Sequence, residues 1–245
     1  MKQAMLLCAL LLANATVASA AGLNLRWSAC AADAGVQNHT FACDTNIGSN
    51  TIVGSFVLDH DMLCVGASEA VVDLSAASAS LPDWWRYSSA GTCRQAALSI
   101  AARNGTNCPD MFEAQAAMFI TAYQVGLHGE NSARILSVNG LQITVCLSLV
   151  ASQEYGIAHW TIQNSNTVGS GSCTGCVTPT CIVFNSATIY GCCSSVTTLT
   201  TEASAGSNYI TWQGGGVPVT PQGTGCPAAT PARKSTWGSV KSLYR

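Results

Sequence analysis

The chain has 245 residues, of which 48% are hydrophobic and only 9% charged, with ten Lys and Arg against twelve Asp and Glu. So sparse and slightly acidic a charge set lacks the clustered Lys and Arg that a phosphate backbone or an anionic membrane surface would need, and nucleic acid is excluded as the expected partner. The length suits one large domain with short appendages rather than two domains.

Met1-Lys2 opens the chain, an apolar run from Ala4 to Leu12 follows, and the small-residue stretch ATVASA ends at Ala20. This is the pattern of a secretory signal peptide over residues 1–20, with cleavage expected after Ala20. The apolar run falls far short of the ~20 residues that cross a bilayer, so no membrane span is expected after cleavage. The expected location is therefore secreted or cell-surface, with the periplasm as the other exported compartment.

Cys8 leaves with the signal, and Cys30, Cys43, Cys64, Cys93, Cys108, Cys146, Cys173, Cys176, Cys181, Cys192, Cys193 and Cys226 remain. An even set in an exported chain predicts disulfides throughout. Cys173-Thr-Gly-Cys176, followed by Cys181 and Cys192-Cys193, also has the chemistry of a four-thiolate zinc site. An oxidising compartment favours bridges instead. A redox Cys-x-x-Cys should open a helix after a strand, whereas this one lies between Gly169-Ser-Gly-Ser172 and Pro179. Short separations favour Cys30 with Cys43, Cys93 with Cys108, and Cys181 with Cys192 or Cys193, although spacing does not fix connectivity.

In chain order, LNLRWSAC alternates like a first strand, and TFACD reads as a second. TIVGSFVLDHDM, rich in β-branched residues, reads as one or two strands, and EAVVDLSAA as another. Pro82-Asp83 predicts a turn. CRQAALSIAARNG and DMFEAQAAMFITAYQV carry both helical and alternating patterns, so one or two short helices are expected between residues 94 and 125. Asn139-Gly140, between two alternating apolar runs, predicts a hairpin. YGIAHWTIQ, CIVFNSATIYG, SSVTTLTTEAS and NYITWQGG continue the strand series. Gly214-Gly215-Gly216 and four prolines then open a linker-like segment over residues 214–245. It ends in TWGSVKSLYR, where Trp237, Lys241, Tyr244 and Arg245 form a candidate docking or sorting element.

Few residues point to chemistry. Asp59 and Asp61 flank His60, and on a strand the two carboxylates would share one face and suit a structural calcium ion. Trp84 and Trp85 are candidates for stacking on sugar rings. No serine sits in a nucleophile elbow, and no pair of acids is framed by a glycosidase motif. His159, between Ala158 and Trp160, reads as a strand histidine.

The segments LPDWWRY, ARIL, EYGIAHWTI, TVGSGSCTGC and the TWGSVKSLYR ending are similar to those of secreted, cysteine-containing, β-rich proteins of environmental bacteria. That resemblance carries no activity and no catalytic residue with it. The bodies of those proteins look like the sandwich modules of extracellular scaffolding and carbohydrate-binding domains.

The expected fold is mainly β: a disulfide-stapled sandwich over residues 21–213, jelly-roll-like or like a carbohydrate-binding or cohesin module. The expected role is an exported, non-enzymatic binding or structural assembly module. Its expected partners are polysaccharide, cell-surface components or further copies of itself. The competing expectation is a small secreted hydrolase acting on polysaccharide or protein.

Overall fold

The computed structural model describes residues 21–87, 91–102, 105–113, 115–141, 147–191, 194–204 and 207–213. The expected signal segment and the 214–245 tail, with Trp237, Lys241, Tyr244 and Arg245, lie outside the described residues. So do Cys146, Cys192, Cys193 and Cys226.

The strands, numbered β1 to β12 in chain order, form two sheets packed as a sandwich. The small sheet has the order β1 (Gly22–Trp27), β3 (Ser49–Val57), β9 (Glu154–Gln163), β5 (Leu98–Ala101), all antiparallel. The large sheet runs β2 (Asn38–His39), β12 (Tyr209–Trp212), β10 (Thr180–Gly191), β4 (Met62–Ala76), β7 (Ser132–Gly140), β6 (Ala117–Val125). Two short strands sit off this path: β11 (Val196–Leu199) pairs with β10, and β8 (Leu147–Leu149) with β4.

The core follows from two-residue alternation. Val72 and Leu74 of β4, Ile182 and Phe184 of β10, and Leu23, Leu25, Phe56, Ile157 and Trp160 of the small sheet are buried between the layers. Each such side chain adds about 1.5–3 kcal/mol on leaving water. Trp160 donates Nε1–H to Ser137 Oγ across the sandwich at 2.8 Å, which satisfies its one polar atom. Gly54 on β3 leaves room for that ring, since a Cβ there would stand 2.7 Å from Trp160 Cζ3.

No helix forms between residues 94 and 125 among the described residues, and the 3-10 turn Asp83–Trp85 lies before that span. The ambiguous runs became β5 and β6. Leu98 and Ile100 pack on the core while Ser99 and Ala101 face out, a period of two rather than 3.6. Pairing to β9 and β7 overrides the helical propensity of their alanines. Residues 40–44, expected as a strand, are irregular, and β2 lies just before them. The Asn139-Gly140 hairpin does not form. Both residues continue β7, paired with Ser68 and Ala67, and Asn139 Nδ2 donates to Ser68 Oγ and to the Ile157 carbonyl, each at 3.1 Å. Two buried acceptors hold that amide in the sheet.

Three bridges are seen: Cys30–Cys108, Cys43–Cys176 and Cys93–Cys173. They correct the short-separation pairs Cys30–Cys43 and Cys93–Cys108. The loops meet at the ends and faces of the sandwich, so partners are set by layer contact rather than by spacing. Cys64 and Cys181 are also disulfide-bonded. Cys173 and Cys176 go to different partners, which leaves neither the thiolates of a zinc site nor a redox pair. The Gly175 between them has φ +110°, and a Cβ there would stand 2.1 Å from Pro82 Cβ. Glycine is required there by conformation and by contact.

Candidate functional site

The register of the large sheet lays its outer face out in rows. Val196, Tyr190, Ala67, Gly140 and Ala117 stand side by side across five strands. The next row is Thr198, Thr188, Glu69, Val138 and Phe119. After it come Ser186, Val71, Leu136 and Ala122. Phe119 is 61% exposed, and Tyr190 and Val196 are also exposed. Hydroxyls and aliphatic groups dominate these rows, and Glu69 is their one charged residue. Thr188 and Thr198 share a hydrogen bond between hydroxyls at 3.3 Å.

A charged network closes the face at its fourth row. Asp73 is nearly buried, and Arg134 donates to it through Nε at 2.7 Å and Nη2 at 2.8 Å. Asn185 Nδ2 donates to the same carboxylate at 2.6 Å, and His128 Nε2 lies 3.2 Å from it. The hydrogen bonds to Asp73 raise the Arg134 pKa, so the guanidinium keeps its charge. This bidentate pair cancels itself, and the face carries no strong field.

The outer face of the small sheet is different. Loops around residues 28–35 and 105–110 lie over it, held by Cys30–Cys108 with Val53 beneath. Glu154 anchors the first loop. Its buried carboxylate accepts from Ala31 N at 3.2 Å, Ala32 N at 2.7 Å, Asn24 Nδ2 at 3.0 Å and Ser55 Oγ at 2.5 Å. A cleft of about 380 Å³ opens here, lined by Ser28, Asp33, Thr106 and His159 among others. His159 is buried on β9. Asp33 Oδ1 accepts from Asn107 N at 2.8 Å, and among the described residues its buried Oδ2 has no hydrogen-bond partner.

The residues singled out from sequence are placed elsewhere. Trp84 and Trp85 are both 0% exposed, so neither offers a face to a sugar ring. They pack edge-on at 4.9 Å, with Trp212 4.8 and 5.3 Å away, and the Arg94 guanidinium sits 3.7 Å above the Trp84 ring. The two bridges Cys43–Cys176 and Cys93–Cys173 tie the loops around this aromatic end. Adjacent bulky rings can both be buried here because the 3-10 turn, unlike a strand, does not send neighbours to opposite faces.

Asp59 and Asp61 lie in the turn between β3 and β4 rather than on a strand. Asp59 Oδ1 is 2.5 Å from His60 Nδ1, and that hydrogen bond holds its carboxyl below the usual range. Asp61 Oδ1 instead accepts from Ala151 N at 2.7 Å. Among the described residues, the one group of three metal-capable atoms close together is Cys30, Cys108 and Glu154, whose two sulfurs bond each other. Sequence reading missed the outer face, although the alternation that marks each strand's buried residues also marks those left outside. It also missed the cleft, which depends on loops brought together by an unforeseen bridge.

No protein-family model matches the sequence, and no curated protein matches it. Among solved structures, the chain is similar to a cohesin module from a family 33 glycoside hydrolase of Clostridium perfringens, with 8% identity and a TM-score of 0.35 over 79% of this chain and 97% of that module. The molecule is a mainly β, two-sheet, disulfide-bonded sandwich. Among the described residues no helix is long and apolar enough to cross a membrane.

Proposed function

We propose that this is an exported, non-catalytic module whose contact surface is the outer face of the large sheet, and that the surface takes a neutral polysaccharide. The observation that carries the reading is the register. It sets Phe119, Val138, Thr188, Tyr190 and Val196 together on rows with one charged side chain. Aromatic rings offer apolar faces to sugar rings, and Ser and Thr hydroxyls exchange hydrogen bonds with sugar hydroxyls. A face with little field neither attracts nor repels an uncharged polymer. The test is depletion of the full exported protein from solution by insoluble neutral polysaccharides. At least one should remove the wild type and leave Tyr190→Ala and Val138→Asp in solution. Depletion by none, or equal depletion of all three proteins, would sink the reading.

One observation favours a second reading, a small hydrolase: Asp33 and His159 line the same cleft. An acid and an imidazole in one recess are the elements of general acid–base chemistry. Hydrolysis of a polysaccharide or protein substrate that is lost in both Asp33→Asn and His159→Ala, each still folded, would establish it. Hydrolysis unaffected by either change would remove it.

A further inference from the structure

We infer that β6 joins two copies of this chain edge to edge, antiparallel, extending the large sheet across a two-fold axis. The inference rests on the reading that the chain works by surface contact, but it concerns the edge rather than the outer face.

Exposed strand edges carry unpaired N–H and C=O groups and are normally shortened, charged or covered. The other edges follow that rule. The free side of β1 is covered by the 201–207 loop, through Leu23 N to Thr201 O at 2.8 Å, Ala203 N to Leu23 O at 3.0 Å and Leu25 N to Ser207 O at 2.8 Å. β2 has two residues, β8 three, and β5 and β11 four each. β6 differs. It has nine residues, AMFITAYQV, with no charged residue and no proline, and spans about 30 Å at the usual rise of 3.4 Å per residue. Among the described residues its only sheet partner is β7, and β5 beside it in the small sheet makes no ladder with it.

A second copy is the occupant that this edge fits. An uncharged strand meets no like charge when it opposes itself, and a strand edge is self-complementary under a two-fold axis. The irregularity in β6 agrees. The register shifts between Ile120 and Ala122, so Thr121 is the extra residue, with four residues before it and four after. A two-fold axis between Ile120 and Thr121 sets Ala117 of one copy against Gln124 of the other, Met118 against Tyr123 and Phe119 against Ala122, each pair on one face of the sheet, with the bulges at the centre. Phe119, Val125 and Leu127, all exposed along or just beyond this edge, supply apolar area.

Analytical ultracentrifugation of the full exported chain over a concentration series should show a monomer becoming a dimer. Ala117→Lys combined with Gln124→Lys, both exposed on β6, opposes like charges across the pair and should weaken the dimer at least about tenfold. Ile47→Lys, at a site 83% exposed and outside β6, should leave it unchanged. Hydrogen exchange on the wild type gives an answer even if the lysine variant fails to fold, because β6 amides should slow as the dimer forms. A single-copy mass throughout, a folded lysine variant that dimerises as well as wild type, or a dimer with unchanged β6 exchange would overturn the proposal. The two readings fail separately: Tyr190→Ala loses polysaccharide and keeps the dimer, and a single-copy mass at every concentration removes the dimer while wild-type depletion by polysaccharide persists.

Discussion

Tyr87 is buried and Tyr123 half-buried beside it, their rings 5.5 Å apart and roughly perpendicular. Burial raises the pKa of both phenols above the ordinary value of about 10. At neutral pH both groups are protonated in the folded and the unfolded chain, so they make stability neither rise nor fall with pH. Above about pH 10 the unfolded chain loses protons that the folded chain keeps, and stability falls by roughly 1.4 kcal/mol per pH unit for each tyrosine. Denaturation midpoints at pH 8, 10 and 11 should show that fall in the wild type and a shallower one in Tyr87→Phe. Equal slopes would show that the phenol ionises without unfolding. Trp85 belongs to the same cluster, and Trp85→Ala should cost about 3–5 kcal/mol, measured by denaturant unfolding. A loss below about 1 kcal/mol would mean that the aromatic end is not close-packed. That Trp84-Trp85 would carry weight was legible in the sequence. Their side of the protein surface was not, because a 3-10 turn obeys neither of the two common periodicities.

At the scale of elements, legibility tracked side-chain type. β3, β9, β10 and β12 are written in β-branched and aromatic residues, and their alternation shows both the strand and its buried face. β5 is written in Leu, Ser, Ile and Ala, and β6 follows an alanine-rich run and opens on Ala117-Met118, so a helical pattern competes with the strand pattern of Phe119 to Val125, and the partners β9 and β7 decide. Asn139-Gly140 carried a turn signal that two buried acceptors cancelled. The loop holding Gly175 gives a direct test of local strain. Gly175→Ala forces a side chain into a left-handed backbone and against Pro82, and should destabilise by more than the ~1 kcal/mol typical of an accessible Gly-to-Ala change. Thermal unfolding reads the difference. An unchanged midpoint would mean that the loop shifts freely despite its bridges.

For the whole molecule, composition foretold the class: low charge and many cysteines belong to a stapled sandwich. The candidate contact face was latent in the same pattern, since every residue withheld from the core must face outward. The cleft at Asp33 was not, because it exists only where the loops joined by Cys30–Cys108 meet. That bridge closes a separation of 78 residues, and removing it by a paired Ser substitution should cost about 2–5 kcal/mol and open both loops to protease. Digestion at the same sites and rate as wild type would contradict this. The bridges also bear on how the chain is made. Cys30–Cys108, Cys93–Cys173 and Cys43–Cys176 each pass over cysteines lying between their ends, and the first crosses the other two. A chain threading into an oxidising space from its N-terminus presents Cys30 and Cys43 together long before Cys108 or Cys176 arrives. An oxidase that couples thiols in order of emergence would lock in wrong partners. For a chain exported as proposed, cells lacking an isomerase that reopens early bonds are expected to accumulate it as mispaired, protease-sensitive species, and equal yields of the native bridges with and without one would contradict this.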